Sequence, residues 1–285
     1  MPNPVNRDNN KPMTDAQLKA VAVANIDTTT TTTTTDQPTY PTEVVQLPTK
    51  GKLYPKDHPL ANGTIEMKYM TAREEDILTN QSFIANGVVL DKLFKALIVT
   101  PIDYNDLFLG DKNAVMIAAR VLGYGKEYPI EVPNGRGEQI EYTVDLTNLE
   151  DKEIDWSVHE SGKNEFQFEL PASKHMVTVK ILTQGDQKKI DQELKGLQKL
   201  KKSPVLTTML KHVIIGLDGD TDNIKIRKFI DNNLLALDSR ALRQYLKTIT
   251  PDINLSLEIP DGESGDTFRS QLPIGLDFFW PDSEI

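Results

Sequence analysis

The chain has 285 residues, of which 38% are hydrophobic and 26% are charged, proportions that predict a folded core with a polar surface. The net charge of -10 argues against a protein that coats nucleic acid, because phosphate binding depends on Lys and Arg. The absence of cysteine excludes disulfides, thiolate nucleophiles and cysteine-ligated metal sites. The apolar runs are too short for a membrane-spanning segment and the N-terminus lacks the apolar core of a secretory signal, so we expect a soluble protein.

Residues 1–42 have the composition of a disordered tail. Eight consecutive threonines, residues 28–35, offer too little apolar surface to offset the entropy of ordering. Within the tail, residues 14–26 have a weak helical pattern. This segment is either a transient helix or a docking peptide that folds on a partner, and the sequence leaves both open.

Residues 43–128 form the next predicted region, an N-terminal α+β unit. Its first segment, LPTKGKLYP, contains the turn signals Pro48 and Gly51, so we expect an extended arm with a tight turn. Residues 64–69 alternate as in a half-buried strand. Thr71 and Glu74 then have the spacing of a capping box, which predicts a helix from about Ala72.

Two further helices are predicted in this region. Residues 88–98 carry apolar side chains at helical spacing and are followed by Pro101, which stops a helix. Residues 112–122 follow Asp111, which we expect to be the N-cap, and precede Gly123, which we expect to end the helix.

The rest of the chain divides into three predicted regions, at residues 129–183, 184–250 and 251–285. The first is expected to contain β-hairpins, with strands at 139–146, 166–170 and 176–182, and the second to be helical, with helices at 186–202, 205–216, 222–233 and 239–248. The third is expected to be a hairpin, at 254–259 and 267–272, with an aromatic tail. The predicted fold class is α+β: helical segments packed with short antiparallel β-hairpins, with a disordered N-terminal tail.

No group of residues has the spacing of a catalytic, cofactor or metal site. Glu74, Glu75 and Asp76 are consecutive on a helix, so their carboxylates diverge, and capping explains them better. Residues 218–223 resemble a calcium loop but lack the closing glutamate. The basic run at 195–202 is either a solvated helix end or a nucleic-acid patch. We therefore expect no enzyme activity, no cofactor, no metal and no nucleic-acid partner.

Several sequence blocks nevertheless occur in a characteristic order. They are Leu47-Pro48-x-Lys50-Gly51-x-x-Tyr54-Pro55, Thr71-Ala72-x-Glu74-Glu75-Asp76-Ile77-Leu78, Gly110-Asp111-Lys112, Arg120-x-x-Gly123-Tyr124-Gly125-x-x-Tyr128 and Phe278-Phe279-Trp280-Pro281. In this order the chain resembles the baseplate protein family of contractile-tailed bacteriophages of the T-even type, which includes hub subunits and hub assembly proteins. The resemblance covers residues from about 47 to the C-terminus and is densest up to residue 128.

The resemblance implies tail morphogenesis through binding to other phage baseplate and hub proteins. It places the protein in the host cytoplasm during assembly, or in the tail baseplate of the virion. Two alternatives remain: a cytoplasmic assembly chaperone that leaves before the virion matures, and a degenerate zinc-ribbon-like nucleic-acid binder. Our candidates for partner contact are Leu53, Tyr54, Phe279 and Trp280, each of which has an alternative role in core packing.

Some relatives in that family carry paired cysteines in zinc-ribbon-like turns after the Gly-Tyr-Gly block. The corresponding stretch here is residues 132–137, and residues 260–266 are a second such turn; neither contains cysteine. The resemblance therefore implies no structural zinc in this chain, and stoichiometric zinc in metal analysis would contradict that expectation.

Overall fold

Short antiparallel strand pairs alternate with helices along the chain, as the α+β prediction requires. The computed structural model describes residues 41–133, 137, 139–201, 204–260 and 267–279. The predicted tail lies outside these residues except for positions 41 and 42. Residues 134–136 and 261–266 of the two zinc-ribbon-like turns lie outside them too. The described residues all belong to one compact unit.

Four antiparallel sheets are present in the described residues. Strand β1 pairs with β2, β3 with β4, and β8 with β9, while β5, β6 and β7 form a three-stranded sheet in that order. The strands are β1 Thr42–Gln46, β2 Thr64–Lys68, β3 Glu127–Pro133, β4 Gln139–Asp145, β5 Phe166–Glu169, β6 Met176–Val179, β7 Ile214–Leu217, β8 Ser256–Pro260 and β9 Thr267–Gln271.

Eight α-helices are found over the same described ranges. They are α1 Ala72–Leu78, α2 Gln81–Ala85, α3 Val89–Leu97, α4 Leu109–Tyr124, α5 Gln184–Lys199, α6 Val205–Val213, α7 Asn223–Asn232 and α8 Ala236–Ile249. Short 3₁₀ turns lie between them, including Tyr104–Asp106 and Asp277–Phe279. In the part of the chain that is described, no helix is both long and apolar enough to cross a bilayer.

One apolar core runs through these elements. Its buried side chains extend from Leu47, just after β1, to Phe279, the last described residue. Phe94 of α3 lies 6.2 Å, between ring centroids, from Phe279, so the C-terminal aromatic segment packs against α3 in the same core. Burial of such aromatic rings is among the larger contributions to folding stability.

The structure corrects the predictions for one helix start, one helix end and one strand. Helix α4 begins at Leu109 with Phe108 as N-cap, so Asp111 lies inside the first turn, and the helix runs through Gly123 to Tyr124. The predicted helix 205–216 stops at Val213, because the next four residues form β7 and pair with β6. Strand β3 is missing from the predicted strands, although its alternate side chains are buried against the core.

Candidate functional site

The LPTKGKLYP segment folds as a turn that is hydrogen-bonded to the first turn of α4. The backbone N–H of Thr49 donates to Oδ1 of Asp111 at 3.0 Å, and its hydroxyl donates to Oδ2 at 2.8 Å. The Tyr54 hydroxyl donates to the same Oδ2 at 2.7 Å. Gly51 has a φ of 74°, and a Cβ there would lie 2.3 Å from the carbonyl oxygen of Ala61, so the turn requires glycine.

Burial has the largest effect on the electrostatics of this cluster. Burial raises the pKa of Asp111 to about 6, although the hydrogen bonds from Thr49 and Tyr54 oppose that rise. Burial, together with the neighbouring Asp111 charge, raises the pKa of Tyr54 far above its ordinary value, so its hydroxyl remains a donor. Asp111 is 0% exposed, which leaves no path for a substrate to its carboxylate.

The Gly110-Asp111-Lys112 block reaches three different parts of the chain. A Cβ on Gly110 would lie 2.0 Å from the carbonyl oxygen of Pro251, so only glycine permits this close approach. Asp111 binds the turn just described. The ammonium group of Lys112 donates to Oε1 of Gln184 at 3.0 Å, and burial lowers the pKa of Lys112. The block therefore joins α4 to the N-terminal turn, to α5 and to the segment after α8.

The Arg120–Tyr128 block is an aromatic packing unit. The Arg120 guanidinium lies over the Tyr124 ring at 4.9 Å and over the Tyr128 ring at 5.5 Å, measured to the centroids. Tyr128 makes an edge-to-face contact with Phe278 at 4.8 Å. This block and the C-terminal aromatic block are thus in direct contact.

Three of the four predicted partner-contact residues lie in the core. Leu53 and Tyr54 are each 2% exposed, and Phe279 is 1% exposed. Their side chains form no exposed surface in this structure, and the core-packing alternative describes these three positions. Trp280 lies outside the described residues.

The acidic motifs are occupied by local partners. Glu74 closes the predicted capping box with Thr71 and also accepts a hydrogen bond from Lys68 at 2.8 Å, whereas Glu75 accepts the Tyr124 hydroxyl at 3.0 Å. In the calcium-loop-like segment, Asp218 binds His175 at 2.6 Å and Asp222 caps α7. The described ranges contain no group of three or more His, Cys, Asp or Glu arranged to hold a metal ion.

An open groove between α6 and α8 is the strongest candidate for a binding surface, and we name it the α6–α8 groove. Its volume is about 600 Å³. Apolar side chains from α4, α6, α8 and the segment after β6 form its floor: Leu109, Ile181, Leu182, Met209, Val213 and Leu246. Five cations and one carboxylate surround that floor: Lys152, Lys180, Arg240, Arg243, Lys247 and Asp252.

Helix α8 divides into two faces at this groove. Asp238, Leu242 and Ile249 are buried on one face, where the Asp238 carboxylate accepts the backbone N–H groups of Ala172 and Ser173 at 2.7 and 3.1 Å. Arg240, Arg243 and Lys247 follow one another at helical spacing on the face that lines the groove. The sequence analysis did not identify this basic stripe, although its i, i+3, i+7 spacing within 239–248 was a usable signal.

The remaining walls of the groove come from distant segments. Lys152 and Asp252 lie on two neighbouring segments outside the named β-strands. These segments are joined by the isolated β-bridge between Asp151 and Ile253 and by a 2.8 Å hydrogen bond from the Lys152 N–H to the Asp252 carbonyl. The Asp252 carboxylate accepts Nδ2 of Asn113, a residue of α4. Gly110 holds the adjacent Pro251 against α4, so the signature block also positions one wall of the groove.

Comparison with known proteins identifies no relative: no family model, no curated protein and no solved structure matches this chain.

Proposed function

We propose that this chain is a tail-morphogenesis protein of a contractile-tailed bacteriophage. It acts as a baseplate hub subunit or as an assembly factor for the hub, and it works by binding other proteins rather than by catalysis. The proposal starts from the ordered sequence blocks and their resemblance to the phage baseplate family. The fold by itself carries no functional assignment.

The observation that carries the proposal is the convergence of those blocks. The LPTKGKLYP turn contacts Asp111 of the third block, and Tyr128 of the fourth contacts Phe278 of the last. Blocks far apart in the sequence therefore build one scaffold, which is the pattern expected when a sequence signature preserves a fold. If the order of these blocks serves the fold, partner proteins must be recognised by surface residues outside them. The α6–α8 groove offers such a surface, with apolar area and a charged rim, as protein interfaces do.

Affinity capture tests this proposal. The tagged full chain is expressed in cells infected by the phage that encodes it, and co-purifying proteins are identified by mass spectrometry. We expect baseplate and hub proteins in the captured fraction and not in a capture with an unrelated tagged protein of similar charge. Capture of host proteins alone would overturn the proposal.

Mass spectrometry of purified particles separates the two forms of the proposal. Presence of the chain in mature virions at a stoichiometry similar to other baseplate proteins supports the hub-subunit role. Absence from virions, combined with capture of hub proteins from infected cells, supports an assembly chaperone.

A nucleic-acid binder is the second candidate, favoured by the exposed Lys195 and Lys199 near the end of α5. That role predicts binding to DNA or RNA whose affinity falls steeply with salt. A labelled oligonucleotide titrated at low salt tests it. Absence of binding there would remove this candidate.

A further inference from the structure

We propose that the α6–α8 groove binds an acidic amphipathic segment of a partner protein, with apolar side chains against the floor and carboxylates against the α8 stripe. The inference deepens the proposed function, on which it rests, by giving the chemistry of one partner segment. It follows from the floor, the rim and the charge of the chain as a whole.

The floor supplies apolar surface that a partner can cover. Leu109, Leu182, Met209 and Leu246 line the groove and are only half-buried, so they leave apolar surface in contact with water, whereas Val213 and Ile181 are 3% and 4% exposed. Covering such side chains stabilises a complex by roughly 25 cal/mol for each Å² removed from water. The floor therefore favours a ligand with an apolar face over a purely ionic one.

The rim supplies unpaired positive charge. Across the described ranges, no carboxylate lies within salt-bridge distance of Lys152, Arg240, Arg243 or Lys247. The bonds that two of them make are to uncharged backbone groups: Arg243 donates to the carbonyl oxygen of Ser239, and the Lys152 ammonium group donates to the carbonyl oxygen of Lys247. Lys180 differs, because its ammonium group lies 2.7 Å from both carboxylate oxygens of Asp186.

One carboxylate opposes these four cations in the groove. Asp252 carries it, and that group already accepts hydrogen bonds from Asn113 and from the Ile253 N–H. The groove is thus a local basic surface on a chain whose net charge is -10. A ligand with carboxylates is attracted to the rim, whereas a long polyanion also meets the acidic remainder of the protein.

The dimensions favour a peptide over a small anion. Arg240 and Lys247 are seven residues apart on α8, which corresponds to about 10 Å along a helix axis. Their exposed side chains are spread along that length instead of converging on one point, as a single bound anion would require. Two turns of an amphipathic helix, with acidic and apolar faces, match both the stripe and the floor.

The lining argues against nucleic acid as the occupant. No aromatic side chain occurs among the described residues that line the groove. Single-stranded nucleic acids gain much of their affinity from bases stacked on aromatic rings. The aliphatic side chains and the methionine of the floor offer no aromatic ring on which a base can stack.

Fluorescence anisotropy with the full-length chain tests the inference. The probe is a labelled helical peptide, about four turns long, with Glu on one face and Leu on the other. The matched probe has Lys in place of Glu. We expect the Glu probe to bind and the Lys probe to bind at least about tenfold more weakly, equivalent to about 1.4 kcal/mol. Equal binding of the two probes, or no binding of the Glu probe, would overturn the proposal.

Charge reversal locates the site. The double variant Arg240→Glu/Arg243→Glu should weaken the Glu probe by about tenfold or more, because both cations then repel it. The matched control, Arg73→Glu/Lys228→Glu, makes the same change in net charge at exposed positions on α1 and α7. The control should change the affinity by less than about threefold. Equal losses of affinity in the two double variants would show that the effect comes from net charge alone, and would refute binding of the probe at the α6–α8 groove.

A floor variant and a competitor complete the test. Met209→Gln keeps the side-chain size but removes apolar surface, so it should weaken binding of the Glu probe several-fold. The unfolding midpoint should change much less than the affinity does. A single-stranded oligonucleotide should not displace the probe. Displacement by the oligonucleotide would assign the groove to nucleic acid instead.

The infected-cell capture distinguishes failure of this inference from failure of the proposed function. If Arg240→Glu/Arg243→Glu captures hub proteins as well as the unmodified chain does, the groove proposal fails and the function stands. If the unmodified chain captures none, the function fails whatever the peptide does.

Discussion

The Tyr54 hydroxyl group donates to Oδ2 of Asp111 at 2.7 Å and accepts the backbone N–H of Phe108 at 3.3 Å. One phenol oxygen thus satisfies two buried polar groups, one at the N-cap of α4 and one inside its first turn. Buried polar groups without partners are costly, so this oxygen is important for the start of the helix.

Replacing Tyr54 by Phe should lower the free energy of unfolding by about 1–3 kcal/mol. The substitution keeps the ring that packs on Phe108 and His58 but leaves the Phe108 N–H and one oxygen of Asp111 without this partner. Urea denaturation followed by circular dichroism measures the change. Tyr69→Phe is the control: Tyr69 is 38% exposed, and its loss should stay within about 0.5 kcal/mol. Equal midpoints for the two variants would contradict the structural role of Tyr54.

Asp111 should make stability depend on pH in an unusual direction. Its pKa rises from 3.8 in a model compound to about 6 in the folded chain, so between those values the folded state holds the proton more tightly. The stabilising contribution of this group is therefore complete below about pH 4 and is lost as the pH rises through 6.

Asp111→Asn isolates that contribution, because it removes the titration but keeps the side-chain shape. The free energy of unfolding of the natural chain minus that of Asp111→Asn should fall by about 3 kcal/mol between pH 4 and pH 7, from a pKa rise of roughly 2 units. Urea titrations of both proteins across this range measure it. A difference that stays flat or increases with pH would show that burial does not dominate at Asp111.

Asp238 should have the opposite pH dependence. Burial acts to raise its pKa, but the hydrogen bonds from the Ala172 and Ser173 backbone outweigh burial and lower it. Its contribution is present above the ordinary pKa of 3.8 and is lost as the pH falls through the lower folded value.

Asp238→Asn should therefore cost about 1–3 kcal/mol at pH 7 and progressively less below pH 4. Thermal unfolding at several pH values measures the change. Asp76→Asn, at an exposed position of α1, is the control and should change stability by less than about 0.5 kcal/mol. If the stability lost in Asp238→Asn increases as the pH falls, the hydrogen bonds from Ala172 and Ser173 do not lower the pKa of Asp238 as described.

Gly110→Ala should destabilise the fold by about 1–3 kcal/mol, because the added methyl group collides with the Pro251 carbonyl and forces α4 away from it. Gly196→Ala is the matched control in α5, where a Cβ meets nothing within 4 Å. That control should stabilise the chain by about 0.5–1 kcal/mol, as expected for alanine in a helix. Differential scanning calorimetry compares the two. If Gly110→Ala stabilises the chain instead, the Pro251 carbonyl moves away from the added methyl group at little cost in free energy.

The sequence predicted the features that short-range chemistry decides. The capping box of Thr71 and Glu74 occurs where the pattern indicates, and the helix predicted at 222–233 is present as α7, Asn223–Asn232. Asp111 was misassigned as an N-cap because a carboxylate near a helix start has that local preference. Its actual partners are Thr49 and Tyr54, separated from it by 62 and 57 positions, and local patterns carry no information about them.

Because local sequence patterns carry no information about distant contacts, they also missed strand β7 and the α6–α8 groove. Residues 214–217 follow a helix without a break, and they form a strand because β6 offers an edge for pairing. The basic stripe on α8 was visible in the sequence. Its association with Met209 and Lys152 depends on tertiary packing, which hydrophobic periodicity along one helix does not report.

The contact between α4 and the segment after α8 also bears on when the groove is formed during protein synthesis. Asn113 and Asp252, which are joined across that contact, are 139 positions apart. At 5–20 residues per second, the ribosome reaches Asp252 roughly 7–30 s after Asn113. During that interval the first turn of α4 already has its N-terminal partners, Thr49 and Tyr54, but the groove lacks a wall. A ligand of the groove therefore meets the complete site only after Asp252 has been synthesised.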